Sequence, residues 1–133
     1  MVENDQDDRQ LTEETFHREW PEASIDFLFG ADLPVWLMRT DSRPHLILIA
    51  MHAQPFKATE MITLIRSKTG FETTPIVVLS ENTHPQEIEA SYLAGANSFI
   101  KKPATYSDTM FKIRSFINYW FNTVELPAAG ALA

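Results

Sequence analysis

Cysteine is absent from this chain, and glycine is scarce, with four among 133 residues. Without cysteine, disulfide bonds and thiolate chemistry are excluded, so the composition fits a bacterial-type cytoplasm. No apolar run approaches the roughly 20 residues that cross a bilayer, and no signal-peptide pattern is present. Basic residues number 11 against 18 acidic ones, and the net charge of −7 argues against nucleic acid as a partner. We therefore expect a cytoplasmic protein that binds neither nucleic acid nor membrane.

The remaining composition is that of an ordinary globular protein. Hydrophobic residues make up 44% of the chain and charged residues 22%, a balance that supports a full core at this length. We predict one domain over residues 1–127. The small residues at 128–133 predict a frayed C-terminal tail.

Apolar runs of strand length alternate with helical patterns along the chain. This alternation predicts βαβ units, and hence an α/β fold in which a parallel sheet carries helices on both faces. Strands are predicted at 25–29, 46–50, 75–80 and 95–103. Helices are predicted at 7–20, 32–39, 60–68, 85–94 and 106–124.

Three of the predicted strands end in a distinctive residue. The run from Leu46 ends at Ala50, the run from Pro75 ends at Ser80, and the last strand ends in Lys101-Lys102-Pro103. This set resembles the receiver domain of two-component response regulators. The resemblance implies a flavodoxin-like, doubly wound, five-stranded parallel sheet of order 2-1-3-4-5. Only Met1 to Asp5 matches the first strand of that fold, so the first strand is predicted to be abbreviated.

Metal binding is implied only weakly. By resemblance, Glu3 and Asn4 match the acidic pair that holds Mg²⁺ in receivers, an ion that prefers oxygen ligands with negative charge. Asn4 replaces one carboxylate by a neutral amide, which makes Mg²⁺ binding doubtful. His52 and His84 lie in loops at the same end of the sheet, but their spacing matches no metal pattern. We predict no metal and no cofactor.

The phosphorylation chemistry of receivers is expected to be lost at Ala50. The resemblance places Ala50 where receivers carry the aspartate that accepts a phosphoryl group, and a methyl group has no oxygen to attack phosphorus. Gln54 and Ala58 also depart from the receiver pattern, which has proline and glycine there. The chain is therefore interpreted as a pseudo-receiver.

Three other positions of the receiver site are retained. Ser80 matches the switch hydroxyl, Lys102 the lysine that neutralises phosphate, and Phe99 the aromatic that changes rotamer. Each has a structural alternative, since Ser80 can cap a strand end and Phe99 can fill core. Lys102 can pair with Glu3 or Asp5 when phosphate is absent.

These features predict a phosphorylation-independent signalling and protein-interaction module rather than an enzyme. The alternative is a receiver that still senses a non-covalently bound anion or metal through Ser80, Lys102 and Glu3. Both alternatives place the output of the chain in its contacts with other proteins.

The last helix carries aromatic residues beyond one apolar face. Residues 118–127 resemble the tail of single-domain regulators that partner bacterial phytochrome kinases and that pair through their fourth helix, fifth strand and fifth helix. The resemblance implies a homodimer whose surface includes Phe116, Tyr119 and Trp120, and a histidine kinase or another signalling protein as partner. Alternatively, Phe116 packs on the neighbouring helix.

Overall fold

A parallel three-stranded sheet forms the centre of the fold. The computed structural model describes residues 1–132. Its helices are α1 (Gln6–Glu19), α2 (Leu33–Arg39, preceded by a 3₁₀ turn at Gly30–Asp32), α3 (Ala58–Ser67), α4 (Pro85–Ala94) and α5 (Tyr106–Ile117, continued by a π-helical segment, Asn118–Thr123). Its strands are β1 (Ser42–Arg43), β2 (Ile47–Ala50), β3 (Ile76–Ser80), β4 (Ser98–Lys101) and β5 (Gly130–Ala131).

Single-residue bridges extend the central sheet on the β2 side. β2, β3 and β4 pair in parallel in that order. Val2 forms parallel bridges to Ile49 on one side and to Leu28 on the other. The spatial order is therefore Leu28, Val2, β2, β3, β4. When the segments at Val2 and Leu28 are counted as strands 1 and 2 of the receiver fold, and β2, β3 and β4 as its strands 3, 4 and 5, this is the predicted order 2-1-3-4-5 with an abbreviated first strand. The predicted strand at 25–29 is reduced to the bridge at Leu28, because Val2 supplies so little backbone for it to pair with.

Helices cover both faces of the sheet, as the sequence predicts. On one face, α2 and α3 pack through Leu33, Met61 and Ile65 onto alternate strand residues such as Ile49 and Val78. On the other face, α1 and α5 meet over Val77, and their contact is built around Phe16, Phe116 and Ile117. The result is the doubly wound arrangement of two apolar layers on a parallel sheet.

Helix boundaries follow local capping chemistry. α1 begins after Asp5, whose side chain accepts a hydrogen bond from the N–H of Asp8 at 2.9 Å. α3 begins two residues before its predicted start, because the Glu60 carboxylate accepts from the backbone N–H of Lys57. α4 matches its predicted bounds, and Gly95 ends it with a positive φ of 120°.

The C-terminal residues are docked, which corrects the expectation of a frayed tail for residues 128–132. β5 pairs antiparallel with β1, and the Arg43 guanidinium donates to the Ala128 carbonyl at 2.8 Å. Leu132 donates from its backbone to Asp41 and packs its side chain against the core. Leu132 and Arg43 therefore hold residues 128–132 against the rest of the domain. Ala133 of the predicted tail lies outside the described residues.

None of the helices within residues 1–132 combines the length and the apolar character needed to span a membrane.

Candidate functional site

Strand ends and the loops after them converge at one edge of the sheet. Ala50 pairs with Leu79 at the end of β2, and Ser80 pairs with Lys101 at the end of β3 and β4. Lys102 follows directly, and its N–H donates to the Ser80 carbonyl at 2.7 Å. In open parallel sheets this carboxyl edge is where ligands bind.

Ala50 belongs to the core at this edge. It is buried, its N–H donates to the Val2 carbonyl at 2.9 Å, and its methyl group packs in the same cluster as Ile49. Neither a nucleophilic oxygen nor a metal ligand is available from this side chain.

The Lys102 ammonium pairs with two carboxylates at this edge of the sheet. Its Nζ donates to Glu3 Oε1 and to Asp8 Oδ2, both at 2.8 Å. The side chains of Glu3, Lys102 and Asp8 are 5%, 21% and 41% exposed, so this charge cluster is sheltered mainly around Glu3. Glu3 is also held by the N–H of Asn4, which donates to Oε2 at 3.1 Å. We name the three side chains Glu3, Lys102 and Asp8 the lysine clamp.

Titration in the lysine clamp reflects one ammonium shared by two carboxylates. Burial raises the pKa of Glu3 above its ordinary value of 4.5, and Asp8 adds to the rise, while Lys102 opposes it without cancelling it. For Lys102, burial alone would lower the pKa, but the hydrogen bonds and charges of Asp8 and Glu3 outweigh burial and raise it above 10.5. Lys102 is therefore held in its charged form.

Asn4 is a bridge between two loops. Its Oδ1 accepts from the Gly30 N–H at 2.8 Å, and its Nδ2 donates to the Gln54 carbonyl at 2.9 Å. An aspartate could accept the first bond but could not donate the second. The loops approach so closely here that a Cβ on residue 30 would clash with the Ala53 carbonyl oxygen, which requires glycine at this position. Asn4 and Gly30 thus fix the loop beside Ala50.

The residues present do not fit the Mg²⁺ site that the resemblance implies. Mg²⁺ requires nearly octahedral oxygen coordination. Glu3 is bonded to Lys102, the amide oxygen of Asn4 is bonded to Gly30, and Ala50 has no oxygen to offer. Within residues 1–132, no three His, Cys, Asp or Glu side chains are grouped to hold a metal ion.

The structure brings Ser80 to the site but gives it a local partner. Ser80 is buried, and its Oγ accepts from the Asn82 N–H at 3.1 Å, which is the strand-end capping considered from the sequence. The side chain of Phe99 is partly buried and packs against the core cluster on the sheet face that α2 and α3 cover. The Ser80 hydroxyl makes no hydrogen bond to the lysine clamp.

Two site residues were not identified from the sequence. Asp8, rather than Asp5, is the second partner of Lys102, because Asp5 caps α1. Arg9 donates from Nε to the Glu3 carbonyl, and its guanidinium carbon lies 4.0 Å from the ring centre of Phe29. The acids at positions 5, 7 and 8 signal a helix start, but nothing in the sequence shows which acid faces the sheet edge.

The predicted pairing surface needs one correction. Phe116 is only 9% exposed and packs edge-on against Phe16, with ring centres 6.2 Å apart, so it belongs to the core between α1 and α5. The alternative packing on a neighbouring helix is thus the one observed. Trp120 is partly buried beside Phe116, whereas Tyr119 is 51% exposed.

Further exposed apolar side chains lie on α4 and α5. Phe111 and Tyr106 on α5, and Leu93 and Tyr92 on α4, are all exposed, Leu93 and Phe111 by 82% and 70%. For Phe111 this exposure agrees with the sequence pattern, because Phe111 lies outside the apolar arc of the last helix.

Comparison with known proteins identifies the fold. No family model matches the chain. Among curated proteins, response regulator Rcp1 of Synechocystis is 28% identical over 87 residues, which is 65% of this chain and 59% of that relative. The chain thus matches less than two thirds of this relative's length.

Solved structures agree over almost the whole chain. The phosphorylated cyanobacterial phytochrome response regulator RcpA superposes with a TM-score of 0.86 at 24% identity, covering 96% of this chain and 95% of that one. A response regulator receiver domain from Rhodospirillum rubrum gives 0.84 at 23% identity, covering 96% and 94%. The predicted likeness to receivers, including phytochrome-partner regulators, is confirmed.

Proposed function

We propose that this chain, which has the fold of response regulator receiver domains, is a signalling module that acts by protein contact without accepting a phosphoryl group. Its relatives are signalling proteins, and we infer that it binds rather than catalyses. The sequence prediction of a cytoplasmic location belongs to the same proposal.

One observation carries this proposal: Lys102 is paired with two carboxylates of its own chain, and Ala50 at the same edge of the sheet offers only a buried methyl group. In a receiver that responds to phosphate, the lysine must reach the phosphoryl group. Here Lys102 is engaged by Glu3 and Asp8, and Ala50 offers no oxygen. The arrangement therefore favours one conformation, because no modification is available at Ala50 to shift the population.

The alternative, non-covalent anion sensing through Ser80, Lys102 and Glu3, is less well supported. An anion at Lys102 would have to displace two carboxylates and would meet their negative charge. Such binding would stabilise the fold increasingly as the anion concentration rises above the dissociation constant. No shift in melting temperature with phosphate and Mg²⁺ is expected.

For partners, we propose a second copy of the chain and a histidine kinase or another signalling protein. The proposed pairing surface consists of α4, β4 and α5, with Tyr119 and part of Trp120 joined by Leu93 and Phe111. Exposed aromatic side chains are enriched in protein interfaces, and β4 is an edge strand with partly exposed residues. These features support pairing through this face.

Phosphorylation measured by intact mass tests the proposal. The wild-type chain, incubated with acetyl phosphate and Mg²⁺, is expected to gain no phosphoryl group. Ala50→Asp with Asn4→Asp restores a nucleophile and a carboxylate, and is expected to become modified. Ala50→Asn with Asn4→Asp is the matched control without a nucleophile. Modification of the wild-type chain would refute the proposal.

A further inference from the structure

A cavity of about 160 Å³ lies between α1 and α5, on the sheet face opposite α2 and α3. Its floor consists of Leu48 on β2, Leu79 on β3 and Ile100 on β4, of which Leu79 and Ile100 are direct partners in the sheet. Leu11 of α1 and Ile113 of α5 contribute to its walls. A volume near this value accommodates a single benzene-sized ring.

The cavity is present because two threonines occupy positions where larger apolar side chains would fill the space between α1 and α5. Thr12 on α1 and Thr109 on α5 both line it. Each directs its hydroxyl back to its own helix, Thr12 to the Asp8 carbonyl and Thr109 to the Thr105 carbonyl, both at 2.8 Å. As a result the leucines and isoleucine of the floor are only partly buried, whereas Val77 on the same face is fully buried.

The charged side chains that line the cavity disfavour the binding of a charged ligand. Three acidic and three basic side chains line it, so the local charges balance: Glu3, Asp8, Glu81, Lys101, Lys102 and Lys112. A carboxylate ligand would meet Glu3 and Asp8, and an amine would compete with Lys102 for them. A lysine ammonium has three N–H donors, of which Lys102 spends two on the clamp. One donor is left for a neutral oxygen.

We infer that this cavity is a binding site for a small neutral molecule with one apolar ring and one oxygen acceptor. The ring lies against Leu48, Leu79 and Ile100, and the oxygen accepts from Lys102. Such a ligand touches the lysine clamp without displacing a carboxylate. The site stands whether or not the chain pairs with another protein.

Methyl-detected NMR of the full chain tests this site with phenol as the probe. Phenol is expected to cause saturable shifts confined to cavity methyl groups, such as those of Leu11, Leu79 and Ile113. Benzoate, its anionic counterpart, is expected to bind at least about tenfold more weakly. Absence of saturation by phenol, shifts spread over the surface, or equal binding of benzoate would each overturn the inference.

Filling the cavity provides the second arm of the test. Thr12→Leu places bulk in the cavity and is expected to weaken phenol binding at least about tenfold. Thr63→Leu is the matched control, because Thr63 lies on the exposed side of α3 and makes the same bond to the carbonyl four residues earlier, at 2.8 Å. Thr109→Leu fills the cavity from α5 should Thr12→Leu fail to fold. Equal phenol affinity in the filled and control variants would also overturn the inference.

Discussion

Replacing Lys102 by methionine should destabilise the fold substantially, because it leaves Glu3 as a sheltered, uncompensated charge. Removing one partner of a fully buried ion pair costs about 3–5 kcal/mol. The side chain of Glu3 is 5% exposed, but those of Lys102 and Asp8 are 21% and 41% exposed, so solvent screens part of the effect. We therefore expect a loss of about 2–3 kcal/mol in the free energy of unfolding. For a chain of this length that lowers the melting temperature by about 7–10 °C.

Thermal and urea denaturation at pH 7, followed by circular dichroism, measure this loss. Lys101→Met is the matched control, because its side chain is exposed and it makes no ion pair among the described residues. Adding Glu3→Gln to Lys102→Met should recover much of the loss, because the uncompensated charge is then gone. Equal stability of Lys102→Met and Lys101→Met would refute the account of the lysine clamp.

Three further predictions concern the loops, the acid pH range and the pairing surface. Asn4→Asp should lower the free energy of unfolding by about 1–2 kcal/mol, because a carboxylate oxygen then faces the Gln54 carbonyl; urea denaturation against Asn122→Asp, an exposed control, checks this. Since burial raises the pKa of Glu3, the folded state holds more protons there than the unfolded state between that pKa and 4.5. The stability of the wild type relative to Glu3→Gln should therefore rise as pH falls through this window, and a fall measured by urea denaturation would contradict the assignment. Tyr119→Ala should weaken self-association about tenfold without changing the melting temperature, because its side chain is half exposed; sedimentation velocity would contradict this by showing an unchanged dimer.

The strands of the central sheet could be predicted because buried parallel strands appear in the sequence as continuous apolar runs, whereas their order was implied by the resemblance to receiver domains. The runs ending at Ala50 and Ser80 give strand ends within a residue of those observed, and proline and glycine mark the bounds of α4. The docking of residues 128–132 could not be predicted, since it depends on Arg43 and on a long-range contact of Leu132. A short run of small residues carries no local signal for such contacts.

The candidate site was predictable in its positions but not in its pairing. Glu3, Ser80 and Lys102 follow strands whose ends meet, so their proximity follows from topology. The choice of Asp8 over Asp5 depends on which acid caps α1, and that is decided by the orientation of the helix on the sheet. Phe116 shows the same limit, because its burial depends on the angle at which α5 meets Phe16 of α1.

Sedimentation velocity over a wide range of protein concentration, with and without acetyl phosphate and Mg²⁺, tests the central claim most directly. The account predicts a dimer whose dissociation constant is the same in both conditions, because Ala50 accepts no phosphoryl group and the lysine clamp is already closed. A dimer that strengthens or appears only with the phosphoryl donor would contradict phosphorylation-independent action. A monomer at every concentration would contradict the proposed pairing through α4, β4 and α5.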